Sequence, residues 1–286
     1  MISNLNEIEN DQNLLKIEYQ TFENLLPFSN SEDYDKLYDI IIAYFNDDTN
    51  WLNQFEALNF LRRLNKYCPI IFNSILPNIV IFITKFTSSL RSNLSKLSIM
   101  LIKEIFYSKD FSSTNFKLLK NLISAVTFQS ASMKSFIKEE SLVSLDALTN
   151  NFIFHNTFTL NYLIEEISSK SLLQSENSFN SSIKLIYNWT REDIFSGTNY
   201  LQWQGILIQI INIYSLKREP YIKRACKLLE NLYTKFGEED FQNILNSSSL
   251  GEIQKNLILS ILKQADTKKK KTNESFRDHI SKNKFK

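Results

Sequence analysis

One spacing constrains this chain more than any other feature of it. A small residue followed by large apolar residues four and seven positions later occurs as Ala57, Leu61, Leu64, as Ser98, Ile102, Ile105 and as Ser141, Leu145, Leu148. It returns as Ser182, Ile186, Trp189 and as Ala225, Leu229, Leu232, the five starts lying 41, 43, 41 and 43 residues apart. Offsets of four and seven place three side chains on one helical face. Any amphipathic helix carries such a face, but chance does not hold five of them at one interval. A period of roughly 40 residues is the mark of stacked helical hairpins of the HEAT or armadillo kind.

Each period also holds an earlier apolar segment. The first helices are predicted at 33–45, 69–86, 113–128, 156–171 and 199–215, and their partners at 51–67, 90–107, 134–150, 179–190 and 220–236. A final pair is predicted at 238–247 and 250–264, where Lys255 takes the small-residue position ahead of Leu259 and Leu262. Such decay suits a terminal cap. The expected fold is all-α: an α-solenoid of about six HEAT-like hairpins, an ARM-like superhelix. Only 4 Gly and 4 Pro occur in 286 residues, against average usage of about 7% and 5%, too few turn-formers for a sandwich or barrel. Pro69 and Pro220 fall near helix starts, where a missing N–H costs little, whereas Pro77 lies inside a predicted helix and implies a kink.

Residues 1–32 read as an acidic N-terminal extension, 33–264 as the repeat domain and 265–286 as a basic tail expected to stay disordered. The tail carries +5, which leaves −3 for the first 264 residues of a chain of net charge +2. A mildly acidic body does not suit a nucleic-acid-binding array. The longest apolar run, Ile70 to Phe86, is interrupted by Asn73, Pro77, Asn78 and Lys85, so a core helix is expected there rather than membrane insertion. The N-terminus lacks the basic flank of a secretory or transit signal, and a cytoplasmic protein is expected. Cys68 and Cys226 sit among apolar neighbours and are expected to be small buried hydrophobes.

Three segments resemble a known family. Trp51-Leu52-Asn53-Gln54-Phe55-Glu56-Ala57-Leu58 looks like a first-repeat tryptophan opening an aliphatic helix. Leu90-Arg91-Ser92-Asn93-Leu94-Ser95-Lys96 is similar to a second-repeat signature, LRS-x-(V/L)-S-(K/R), and Lys134-Ser135-Phe136-Ile137-Lys138-Glu139-Glu140-Ser141 to a third-repeat one. In this order and at these intervals the segments resemble the TOG domains of the CLASP family and of similar ciliary TOG-array proteins. The resemblance implies a flat paddle that binds αβ-tubulin through the turns joining the helices of each pair. It implies a tubulin- or microtubule-binding module, without enzymatic activity or cofactor, serving microtubule dynamics or a cytoskeletal, ciliary or spindle array, with other cytoskeletal proteins as further partners. The implied tubulin-binding residues are Trp51, Ser89, Arg91, Lys134, Arg218, Lys223 and Arg224. Two positions depart from the pattern: Gln54 stands where a base is common, and the fourth turn, expected at Gln174 to Ser178, is uncharged or acidic.

Independently of the resemblance, the residues offer no catalytic constellation. The two histidines are His155 and His279, without metal-ligand spacing. The acidic runs Glu139-Glu140, Glu165-Glu166 and Glu238-Glu239-Asp240 are expected to be solvated faces, because adjacent helical residues diverge. The competing function is a generic HEAT-repeat scaffold that holds another protein without binding tubulin.

Overall fold

The computed structural model of the protein describes residues 19–28, 34–169, 171–191 and 200–263. The fold is all-α, with eleven helices and no strand among the described residues. They are α1 (Tyr34–Asn46), α2 (Trp51–Tyr67), α3 (Pro69–Thr87), α4 (Ser92–Tyr107), α5 (Leu119–Gln129), α6 (Ser135–Asn150), α7 (Thr157–Ser169), α8 (Leu172–Arg191), α9 (Tyr200–Ser215), α10 (Glu219–Ser247) and α11, 252–263. Short 3₁₀ segments, Ser113–Leu118 and Phe152–Phe154, lead into α5 and α7. The chain forms two compact units, Met1–Asn115 and Phe116–Lys286.

The five apolar faces singled out in the sequence turn inward. Every residue of the five repeated faces whose side chain is described is buried, from Ala57, Leu61 and Leu64 to Ala225, Leu229 and Leu232. Trp189 lies outside the described side chains. In the first unit α1 pairs with α2 and α3 with α4, and α2 packs on both α3 and α4. In the second, α5 pairs with α6, α7 with α8 and α9 with α10; first helices touch first helices (α5 on α7, α7 on α9) and second touch second (α6 on α8, α8 on α10).

Small residues set how closely paired helices approach. In α4, Ser95 Oγ donates to the carbonyl of Thr87 at 2.6 Å and Ser98 Oγ to that of Ile83 at 2.5 Å. In α8, Ser175 Oγ donates to Ile167 at 2.8 Å and Ser178 Oγ to Leu163 at 2.7 Å. Both hairpins repeat the same separations along the chain, 8 and 15 residues. By this contact Ser178, one turn before Ser182, is the counterpart of Ser98. Each buried hydroxyl satisfies itself on the backbone of the neighbouring helix.

Helix α8 starts at Leu172, seven residues before the predicted 179, so Gln174 to Ser178 is helix and not a turn. The cause is local: Ser171 N donates to Gln174 Oε1 at 3.2 Å, half of a capping box that ends the turn at residue 171. Pro77 sits inside an unbroken α3. Its missing N–H leaves the Asn73 carbonyl without its helical donor, and buried Asn115 supplies one from Nδ2 at 2.9 Å. Gly237, at φ 77° and ψ 172°, divides α10 at the predicted boundary between the last two pairs, a conformation that only glycine adopts cheaply.

Helix α3 has the length and hydropathy of a membrane span. Its Phe72, Leu76, Ile79, Ile83 and Phe86 are nevertheless buried, and it packs on α2 and α4. Two expectations on burial fail. Cys68 and Cys226 are half-buried and form no disulfide. Glu166, expected on a solvated face, is buried, while its neighbour Glu165 is exposed and paired with Lys120 at 2.8 Å. Within the N-terminal extension, residues 19–28 lie along α2. There Arg62, Arg63, Lys66 and Tyr67 donate to the carbonyls of Gln20, Leu26, Pro27, Glu23 and Leu25. The basic tail, 265–286, lies outside the described residues.

Candidate functional site

The turn between α1 and α2 is built around Asp47. Its carboxylate accepts from Thr49 Oγ1 at 2.6 Å, Thr49 N at 3.0 Å, Asn50 N at 3.2 Å and Asn53 Nδ2 at 2.9 Å. The Thr49 hydroxyl is the largest influence holding the Asp47 carboxyl below its ordinary range; Asn53 and the backbone amides act in the same direction. Asn50 caps α2 by accepting from Leu52 N at 3.1 Å. Gln54, where a base was expected, is buried and donates to the Asp47 carbonyl at 2.9 Å, so it braces the turn.

This rigid turn presents Trp51 as the first residue of α2. The indole is half-buried, edge-on to Phe55 at 6.3 Å. Across from it, the exposed Arg91 lays its guanidinium 5.8 Å from the Trp51 ring, an arrangement worth about 0.5–1 kcal/mol at an exposed site. Arg91 occupies the N-cap position of α4, and its backbone N–H is accepted by Ser89 Oγ at 3.2 Å. The first unit therefore brings Trp51, Ser89 and Arg91 together, with Ser89 shaping the turn.

Lys134 occupies the same local setting in the second unit. It is exposed at the N-cap position of α6, and its N–H is accepted by Ser132 Oγ at 3.3 Å. Ser89-Leu90-Arg91 and Ser132-Met133-Lys134 are thus two copies of one turn. The middle residue of each is fully exposed, Leu90 at 96% and Met133 at 101%. Sequence reasoning passed over both apolar residues. The signal was present as serine, apolar residue, base at matched positions of two repeats, but only burial separates such a residue from a core one.

Arg218, Lys223 and Arg224 surround the start of α10. Arg218 is its N-cap residue, with its guanidinium 5.6 Å from the Tyr221 ring. Arg224 lies 5.4 Å from the Phe179 ring and donates to Asn180 Oδ1 on α8. Lys223 is paired with Glu219 at 2.7 Å, one helical turn away. The two arginines are held against α8 and α10, and Lys223 is not among the residues lining the cavity beside them.

No group of metal-ligating side chains occurs among the described residues. His155 is buried, its ring Nε2 at 3.0 Å from the Thr149 carbonyl, where it braces the end of α6. The chain matches no protein-family model and no curated protein sequence.

Proposed function

We propose that the chain is a HEAT-like helical-hairpin array of the TOG type that binds tubulin or microtubules without catalysing a reaction, as a cytoplasmic cytoskeletal component. The observation that carries this reading is the Trp51–Arg91 pair, with the guanidinium 5.8 Å from the ring, joining two neighbouring turns and flanked by fully exposed Leu90. A rigid aromatic beside a base and an exposed apolar side chain is the composition of a protein-binding hot spot. Exposed guanidinium and ammonium groups suit an acidic partner surface, tubulin's among them. The repeat period, the paired serine latches and the second copy of the turn at Met133 and Lys134 support an array in which each hairpin offers one such turn.

Co-sedimentation with microtubules, alongside size-exclusion with unpolymerised tubulin at low salt, tests the reading. Trp51→Ala should weaken binding by about 2 kcal/mol, roughly 30-fold, with an unchanged circular dichroism spectrum. Lys134→Glu with Lys223→Glu should add a loss that disappears as salt is raised. Unaltered binding by both sets of variants would refute the assignment and leave the scaffold reading in its place.

A further inference from the structure

The start of α10 and the first half of α8 enclose a cavity of about 410 Å³. Ligand pockets span about 300–1,000 Å³. Its floor is aromatic: Phe179 and Tyr221 are buried and stacked, with centroids 4.0 Å apart and planes at 26°. Leu172, an exposed apolar residue at the first turn of α8, forms one wall. Arg218 and Arg224 stand over the floor, each beside one of the two rings. A second cavity, of about 290 Å³, is lined by residues of the same two helices, Lys184, Tyr187 and Lys227 among them. Asn180 and Arg224, joined by a hydrogen bond, line both cavities and so form the partition between them.

The charges around this groove do not balance. The carboxylates lining the first cavity are Glu176 and Glu219, and Glu219 is already engaged by Lys223 at 2.7 Å. In the second, Lys184 is paired with Asp146, and Lys227 lies 3.5 Å from Glu230. Arg218 and Arg224 have no carboxylate partner among the described residues; their contacts are the two rings, the Tyr221 hydroxyl and Asn180. Two exposed guanidiniums set 5.6 and 5.4 Å from the Tyr221 and Phe179 ring centroids keep N–H groups for an acceptor, and their planar fork matches a carboxylate.

We propose that this groove is a docking site for a short segment of a partner protein that carries a large apolar side chain next to an acidic residue. The apolar side chain enters the larger cavity and rests on Phe179 and Tyr221. The neighbouring carboxylate meets Arg218 and Arg224 at the mouth. The following residue crosses the Asn180–Arg224 partition into the smaller cavity. The site lies wholly within the second unit and requires neither Trp51 nor tubulin.

The test is selection of a random short-peptide display library on the full-length chain, followed by fluorescence anisotropy of the enriched peptides. An acid-plus-apolar consensus is expected, and its affinity should fall at least about tenfold in Arg218→Glu/Arg224→Glu. Both side chains are exposed, so that variant should keep the parent's circular dichroism spectrum. Lys109→Glu, an exposed charge change at a residue that lines neither cavity, should leave peptide affinity within about twofold. Absence of any enriched consensus, a consensus without an acidic residue, or equal binding to the double variant would overturn the site. Loss of tubulin binding with retained peptide binding would remove the tubulin reading alone.

Discussion

Arg62 and Glu104, 42 residues apart in sequence, meet inside the first unit with Nε at 2.9 Å and Nη2 at 2.6 Å from the carboxylate. Both side chains are buried, and Nη2 also donates to the Gln20 carbonyl at 2.7 Å. Removing one partner of such a pair strands a buried charge, so Arg62→Met should cost about 3–5 kcal/mol in urea unfolding. Arg62→Met with Glu104→Leu should recover most of that loss, because the double variant leaves no charge uncompensated. A single variant as stable as the parent would show the pair to be energetically idle. Asp47 gives a second check at this scale. Its carboxyl titrates below 3.8, so the turn it organises is complete at neutral pH and is lost as pH falls through that depressed value. A carbon-detected NMR titration should place its midpoint below 3.8, and Thr49→Val, which removes the largest cause, should move it back toward 3.8. A midpoint at or above 3.8 in the parent protein contradicts the hydrogen-bond assignment.

At the scale of the element, α3 shows how a helix tolerates an internal proline. Asn115, buried in the 3₁₀ segment before α5, supplies the donor that Pro77 cannot. Asn115→Ala should therefore cost about 1 kcal/mol, the lower end for a carbonyl left without a partner, because Asn73 is only part-buried. Pro77→Ala restores the helical N–H, so Asn115→Ala introduced into that background should cost clearly less. Equal costs in both backgrounds would mean that Asn115 acts only through its other bond, to Asn73 Oδ1 at 3.3 Å. Close approach of a different kind occurs at Gly205 on α9, where a Cβ would come within 2.6 Å of the Thr157 methyl at the start of α7. There the need for glycine is steric, whereas at Gly237 nothing lies within 4 Å and the need is conformational.

For the whole molecule, the functional groups divide between two compact units. One holds the Trp51–Arg91 pair and the other holds Lys134 and the α8–α10 groove. Binding to an acidic lattice would also draw on the +5 charge of residues 265–286. Deleting them should reduce microtubule co-sedimentation at low salt, and the difference should vanish as the Debye length falls below about 10 Å. Equal binding by full and shortened chains at low salt would leave that charge without this role.

The period of 41 to 43 residues, carried by Ala57, Ser98, Ser141, Ser182 and Ala225, was enough to place nearly every helix, because a buried helical face leaves a pattern that needs no knowledge of its neighbours. The split of α10 at Gly237, the start of α3 at Pro69 and the start of α10 one residue before Pro220 were legible from local signals as well. The start of α8 was equally local, written in Ser171 and Gln174, but the uncharged residues behind it resembled a turn. What required the tertiary structure was every property that depends on a partner distant in sequence. Nothing local to Arg62 or Glu104 marks them as a buried pair, and residues 19–28 are only part of an acidic extension until the side chains of α2 engage their carbonyls. Leu90 and Met133 read as ordinary apolar residues until burial leaves them outside. Arg218 and Arg224 read as edge charges until Phe179, contributed by another helix, turns the space beneath them into a cavity. Periodicity records which face of a helix is hidden from water, but it does not record what covers that face or what stands beside it.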